Sequence, residues 1–474
     1  MPYWGSLMTA PTTITHGNPM AGWRRDLWPG AVLVLLLAAY YVTPWWLALP
    51  LTVGFVAACW WRLDLALLLA PITAPAFRAP RAFDAALFGR TTAFEVSLAE
   101  YCLLACAVAW ALRWVRWPAG GEPPRLMLRS LAAPAAFVAA ATLTLPFTLH
   151  LREALREYRV VVVEPAVFYV LAVSTWRGLG DVWRALYALT GLGIGISLFS
   201  LYHYWVIGVV ENTGGVKRIL AVYHSPNHLA LFMGRLIPVV LAQVLFGWLV
   251  RRSRALTAVP AASLSLLLLV FYFTYSRGAL IGIGAGALVL LVGWRPRVAA
   301  LAGVAGLVLV LGLTLVERER MVQVVPLFQR VYVWRAALAM ALDHPLMGVG
   351  LDNFLYYYPQ YILPEARLEP DISHPHNLLL DFWLRTGVLG VVALAGVQVY
   401  FWRLVRGTLA QENPWMRWAA LSLAASMVDF LVHGLIDNSY FLIDLAFMFW
   451  CTVALATVLA RSTQPATVPA TDRP

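Results

Sequence analysis

Residues 263–294, SLSLLLLVFYFTYSRGALIGIGAGALVLLVGW, hold two apolar runs joined by one polar break, Ser276-Arg277-Gly278. Neither run alternates apolar with polar residues, as a membrane-spanning strand would, so each reads as a helix that satisfies its backbone internally. A hydrocarbon layer about 30 Å thick takes about 20 such residues per crossing. In the second run Gly278, Gly282 and Gly286 recur at every fourth position, a face that lets another helix backbone approach closely. An arginine opening such a helix is expected to be held within the bundle, and a charge so placed is by default a functional one.

The pattern recurs along the chain. With 474 residues, 61% hydrophobic and 12% charged, the composition excludes a water-soluble globule of ordinary balance. Apolar runs fall near 30–43, 46–61, 63–76, 94–112, 130–148, 160–176, 183–208, 226–250, 256–275, 278–294, 298–316, 377–402, 418–436 and 440–460. The expected fold is all-α, a polytopic membrane protein of about 12 to 14 transmembrane helices. Pro44, Pro50, Pro71 and Pro75 break the first three runs, which read as short spans, half-spans or re-entrant segments. The domain reading is a disordered tail at 1–22, an N-terminal bundle at 23–316, a large helical loop at 317–375, C-terminal helices at 376–460 and a disordered tail at 461–474.

Basic residues in short loops resist translocation. Arg24, Arg25, Arg113, Arg116, Arg125, Arg129, Arg177, Arg184, Arg251, Arg252, Arg254, Arg295, Arg297, Arg403, Arg406 and Arg461 all fall on one side, which reads as the cytoplasm, with both termini. The net charge of +11 is then mainly a topology signal, and its groups form no single patch for a nucleic-acid partner. Arg24-Arg25 resembles a twin-arginine leader, but no small-residue cleavage site follows and further spans do, so it reads as a retained first helix. Cys59, Cys102, Cys106 and Cys451 lie in or beside apolar runs, and indicate neither a disulfide framework nor a zinc site.

The outward segments are unequal. Glu317 to Pro375 is far longer than the rest, and loops of that length carry structure or function of their own. Within it Leu327, Val331, Trp334, Leu338 and Leu342 recur at three- and four-residue spacing, an amphipathic helix ended by Pro345 and Gly348 and read as a cap over the membrane. Arg152, Arg156, Arg159, Lys217, Arg218 and Arg277 stand on the outer side against the topological bias; for any one of them the plain alternative is snorkelling to headgroups. Asp429, His433 and Asp437 share a helix face rising to the outer surface, and Arg235, Asp381 and Arg385 are expected to be paired inside the bundle. His374-Pro-His376-Asn377 then sets two imidazoles at the mouth of a span.

Four motifs in this order and spacing, Arg218 with Tyr223-His-Ser-Pro-Asn227-His, Ser276-Arg-Gly278, His344-Pro-Leu-Met-Gly-Val-Gly350-Leu-Asp-Asn-Phe354 and His374-Pro-His376-Asn377 through Gly390, resemble the O-antigen ligase and O-antigen polymerase superfamily of bacterial membrane glycosyltransferases. The resemblance covers roughly residues 150–450. It implies a C-type glycosyltransferase-like fold in the inner membrane, its active site facing the periplasm. There it would move a glycan from an undecaprenyl-pyrophosphate donor to an acceptor sugar, lipid A core for a ligase or a second lipid-linked repeat for a polymerase. No cofactor and no nucleotide sugar are implied. The family's essential histidine maps to His376 and its essential arginines to Arg218 and Arg277. Arg152, Arg156, Arg159, Lys217, Asn227, His374, Asn377 and Asp437 are the candidate substrate-binding residues.

The chemistry suits these residue types independently. Breaking the anomeric bond leaves charge on pyrophosphate oxygens, which arginine meets with bidentate hydrogen bonds. A sugar hydroxyl is a weak nucleophile, and an imidazole can take its proton as the new bond forms. A metal is not expected, since His-x-His supplies two ligands with no third close in sequence. A flippase or transporter, the rival reading, would set its ionisable groups near mid-membrane and carry a paired repeat.

Overall fold

The computed structural model describes residues 22–87, 90–115, 128–213, 216–301, 303–304, 325–364 and 372–463. In order, they form α1 (Trp23–Val42), α2 (Trp45–Trp61), α3 (Leu63–Ala66), α4 (Leu69–Thr73), β1 (Arg81–Leu87), β2 (Arg90–Val96), α5 (Leu98–Val115), α6 (Leu128–Thr144), α7 (Leu151–Glu157), α8 (Glu164–Thr175), α9 (Leu179–Tyr202), β3 (Val210–Thr213), β4 (Val216–Ile219), α10 (Pro226–Leu245), α11 (Arg254–Thr274) and α12 (Arg277–Trp294). After these come α13 (Val325–Asp343), α14 (Phe354–Tyr361), α15 (Leu378–Leu409), α16 (Pro414–Gly434) and α17 (Ile443–Arg461). The strands form two separate antiparallel hairpins, β1 with β2 and β3 with β4.

Short polar side chains start the helices. Ser225, Ser253, Ser276, Asn377 and Asn413 each accept a hydrogen bond from a first-turn amide of α10, α11, α12, α15 and α16, with Pro226 and Pro414 supplying the fixed φ of a first turn. Among the described residues ten helices are long and apolar enough to cross a membrane, or eleven if a bent pair counts as one span. That pair, Trp46–Trp61 and Leu63–Ala76, folds back at 110°, which is what became of the runs expected at 46–61 and 63–76. The run expected at 298–316 lies mostly outside the described residues, as do the two tails.

Among the boundaries that shift, two change the reading. The run expected from residue 94 starts as strand β2, and its helix begins at Leu98. The run expected from residue 160 begins earlier, because α7, a π-helical stretch at Tyr158–Val163 and α8 make one span from Leu151 to Thr175. Arg152, Arg156 and Arg159 therefore ride on a helix.

Burial separates centre from rim. The apolar windows of α10, α16 and α17 are 83%, 78% and 89% buried, against 22% for α1 and α11. Packing at the centre depends on van der Waals contact, since lipid is as apolar as leucine. The glycine face of α12 makes that contact with α16. A Cβ on Gly278 would meet Ile436 and His433; one on Gly282, Asp429 and His433; one on Gly286, the Ala425 carbonyl; and one on Gly293, Leu421. The pairings expected for buried charges are also present: Arg235 bonds Asp429 at 2.5 Å, and Arg385 bonds Asp381 at 2.6 Å and Glu157 at 2.5 Å.

The bundle has two unlike ends. At one, Arg62 pairs with Asp26 and Asp64, and Arg184 pairs with Asp64 and Asp181. Trp176 donates to the Asp64 carbonyl, Arg461 to the Val173 carbonyl and Arg113 to the Trp60 carbonyl. The start of α1 and the end of α17 thus share this end. α16 runs from it to the opposite end, where α13 and α14 form a cap against α15.

The cap helix expected around Leu327–Leu342 exists, but it buries a different face. Val333, Ala336, Ala337, Met340 and Ala341 pack with Phe354, Tyr358 and Leu384, while Leu338 and Leu342 are 45% and 63% exposed. Small side chains let the cap sit close, and in a membrane protein an exposed leucine can meet lipid, so spacing of large apolar residues misidentified the inner face. The cap is fastened at a break in α15. Gly387 has φ 65°, interrupting the helix, and the amides of Val349 and Gly350 donate to the Leu384 carbonyl at 2.7 and 3.1 Å. Gly348, at φ 67°, and Gly387 admit no side chain: a Cβ would fall 2.3 Å from the Leu384 oxygen and 2.0 Å from the Leu346 oxygen.

Candidate active site

At the cap end, the turn after α16 and the loop before α15 meet. His376 stands at φ 51°, a backbone region a non-glycine residue keeps only when its surroundings insist. Here they do. Trp334 of α13 donates its indole N–H to the His376 carbonyl at 3.2 Å, and the next residue, Asn377, caps α15 and donates to the Leu435 carbonyl at 2.9 Å. Farther back, Arg385 reaches the Ser373 carbonyl at 3.4 Å.

So held, His376 sets Nδ1 2.8 Å from Oδ1 of Asp437. His374 lies alongside, its ring centroid 4.2 Å from that of His376 and its Nε2 3.8 Å from the same oxygen. Arg330 of α13 meets Asp437 Oδ2 at 3.3 Å and also donates to the Ile436 carbonyl. Burial by itself would raise the Asp437 carboxyl, but the two histidines, His376 through its hydrogen bond, and the Arg330 charge hold it well below the usual carboxylate range. His374 is shifted down, by burial first and then by the neighbouring imidazole. An ionised Asp437 can only accept, so the His376 proton sits on Nδ1 and the Nε2 lone pair is left for other chemistry.

These three residues are also the group that could hold a metal: one ligand atom from each of His374, His376 and Asp437 lies within 4.8 Å of the others. The spacing favours a proton. Zinc–ligand bonds of about 2.0–2.1 Å set tetrahedral ligand atoms about 3.3 Å apart, whereas Nδ1 and Oδ1 are 2.8 Å apart, the length of a charge-assisted hydrogen bond.

The expected arginines Arg218 and Arg277 meet at the α11–α12 junction. Arg277 is the first residue of α12, exposed and followed by Gly278, which lies against Ile436, the neighbour of Asp437. Arg218, on β4, donates to the Thr274 carbonyl at 2.8 Å, to Asn227 Oδ1 at 2.8 Å and to Glu211 at 3.2 Å. It ties the β3–β4 hairpin and the start of α10 to the α11–α12 junction, with guanidinium N–H groups to spare. Lys217 is exposed on the same strand. Arg152, Arg156 and Arg159 are on the other flank: Arg156 pairs with Asp352 at 3.3 Å and Arg159 with Glu100.

Sequence reasoning missed Arg330 and Trp334 as members of the site. Trp334 was counted only as an apolar position of the cap helix. Arg330 carried a usable signal, a cation on an outward amphipathic helix against the topological bias.

Residues 261–395 match the family model described as O-antigen ligase. A match over these residues supports membership of the O-antigen ligase superfamily. The ligase domain runs from within α11 to the middle of α15, and so holds Ser276-Arg277-Gly278, α13, α14 and the two histidines, while Arg218, Asn227 and Asp437 lie beyond its limits. The match supports an enzymatic role as O-antigen ligase or polymerase, in a multi-pass membrane protein. No curated protein matches the chain.

Proposed function

We propose that the protein transfers a glycan from an undecaprenyl-pyrophosphate donor to an acceptor sugar, with the cap end in the periplasm and both termini in the cytoplasm. The observation that carries this is the His376–Asp437 pair. A carboxylate on Nδ1 presents Nε2 as a base, and among the described residues no hydrogen bond occupies that nitrogen. The acceptor hydroxyl gives its proton to Nε2 while its oxygen bonds to the anomeric carbon. The anomeric C–O bond breaks, and its electron pair leaves on the pyrophosphate. Arg277 meets that charge, with Arg218 behind it. Arg330 keeps Asp437 ionised as the imidazolium forms. The orientation is supported by the basic residues counted above, several of which fasten the end away from the cap. Between the two acceptors, lipid A core is taken as the substrate and a second lipid-linked repeat as the alternative.

Purified protein in lipid vesicles, given undecaprenyl-pyrophosphate glycan and lipid A core, should form the joined product; donor movement across the bilayer without a new glycosidic bond would leave a flippase instead. Transfer should persist in excess chelator, and activity that is lost there and restored by a divalent ion would turn the three clustered ligands into a metal site. Orientation has its own test. The cysteines Cys59, Cys102, Cys106 and Cys451 are buried and Gln360 of the cap is exposed, so Gln360→Cys in intact cells should react with a membrane-impermeant maleimide from the periplasm. Reaction only after the inner membrane is opened would invert the topology.

A further inference from the structure

The motif from Gly348 to Phe354 is not used by the chemistry above, and its packing shows what it builds. Gly350, at φ 97°, lies against Thr148, where a Cβ would fall 2.1 Å from the threonine methyl. Asn353, fully buried, accepts from the His150 amide at 2.8 Å and donates to the His150 carbonyl at 3.2 Å. The cap is thereby fixed to the start of α7, and three kinds of side chain are brought to one surface. His150 stacks on Tyr356 with ring centroids 3.7 Å apart, and Tyr356 remains 39% exposed. Asp352, at φ 51°, pairs with Arg156, whose side chain is 74% exposed. Arg152 is exposed one turn earlier on α7.

An aromatic platform beside a carboxylate and arginines is the chemistry of a phosphorylated sugar: the ring face takes pyranose C–H groups, the carboxylate takes hydroxyls, and the guanidinium takes phosphate. Position says which substrate. Arg218 and Arg277 belong to the α10–α12 side. Arg156 lies on α7, one residue from Glu157, which holds Arg385 and through it the Ser373 carbonyl beside His374. The arginines thus form two separate groups, Arg218 and Arg277 at the α11–α12 junction and Arg152 and Arg156 on α7.

We propose that Tyr356, His150, Asp352, Arg156 and Arg152 form a subsite for the acceptor, an anionic glycan; this rests on the transfer reaction proposed above. The probe is a phosphorylated lipopolysaccharide core oligosaccharide freed of its lipid, titrated calorimetrically onto the purified full-length protein before and after phosphatase treatment. Tyr356→Ala should weaken binding about tenfold and Tyr356→Phe should restore it, since stacking needs the ring and not the hydroxyl. Arg156→Gln should weaken only the phosphorylated form. In transfer assays Tyr356→Ala should raise the acceptor KM by a similar factor and leave kcat and donor binding unchanged. Oligosaccharide binding indifferent to Tyr356→Ala, or lost in step with donor binding, overturns the subsite. Wild-type protein that binds the oligosaccharide through Tyr356 yet joins no glycan keeps the subsite and removes the transferase reading. Transfer at an unchanged acceptor KM in Tyr356→Ala does the reverse.

Discussion

His376→Ala is expected to cut glycan transfer by about 100-fold or more, the usual contribution of a positioned base, while donor binding stays nearly normal. On the proposed mechanism the imidazole acts only as the bond forms. Arg277→Ala gives the contrast. One charge-assisted hydrogen bond to phosphate is worth about 1.5–3 kcal/mol, present in the bound donor and in the transition state, so binding and turnover should both fall, by about 10- to 100-fold. Donor affinity and single-turnover rates on the purified variants separate the cases. Abolished donor binding in His376→Ala beside intact binding in Arg277→Ala would exchange the two roles.

Asp437→Asn is the second large effect expected, also about 100-fold in transfer. The amide oxygen can still accept from His376 Nδ1, so the ring stays in place, but the charge that stabilises the imidazolium is gone. Donor binding should again survive, and loss of folded protein instead of turnover would make Asp437 only a structural residue. The pH response follows from the two shifted groups. Asp437 is held well below its ordinary value, so its contribution to stability is complete above about pH 4 and is lost only as pH falls through that lower folded value. His374 is also shifted down. The unfolded chain takes up its proton first, so stability is present above about pH 6.5 and declines below it. Melting in detergent should accordingly soften as pH falls below about 6.5 in the wild type, and a His374→Gln variant should lose that slope.

How much of this was legible in the sequence varies by kind of residue. Spans were readable because a bilayer demands a long apolar run whatever it packs against, and the α12 glycines were readable because a four-residue period needs no partner to be seen. Pairing of Arg235 and Arg385 could be foreseen, since an unpaired charge in that place is too costly. Of the partners only Asp381, four positions from Arg385, was near enough to be read. Asp437 lies 61 positions from His376, and only the fold makes them neighbours. The inner face of α13 was misjudged for a related reason, as alanines that permit close approach carry little hydrophobic signal beside the leucines that remain outside.

The break in α15 has a mechanical consequence. A helix interrupted inside a bilayer leaves a carbonyl that water cannot reach, and an orphaned group there costs several kcal/mol. In this chain the Leu384 carbonyl is satisfied by Val349 and Gly350 of the cap. Lifting the cap would strand that carbonyl within the span, so the cap behaves as a brace welded to the membrane domain. In hydrogen exchange the Val349 and Gly350 amides should then open together with the α15 backbone, on one slow timescale, as parts of a single cooperative unit.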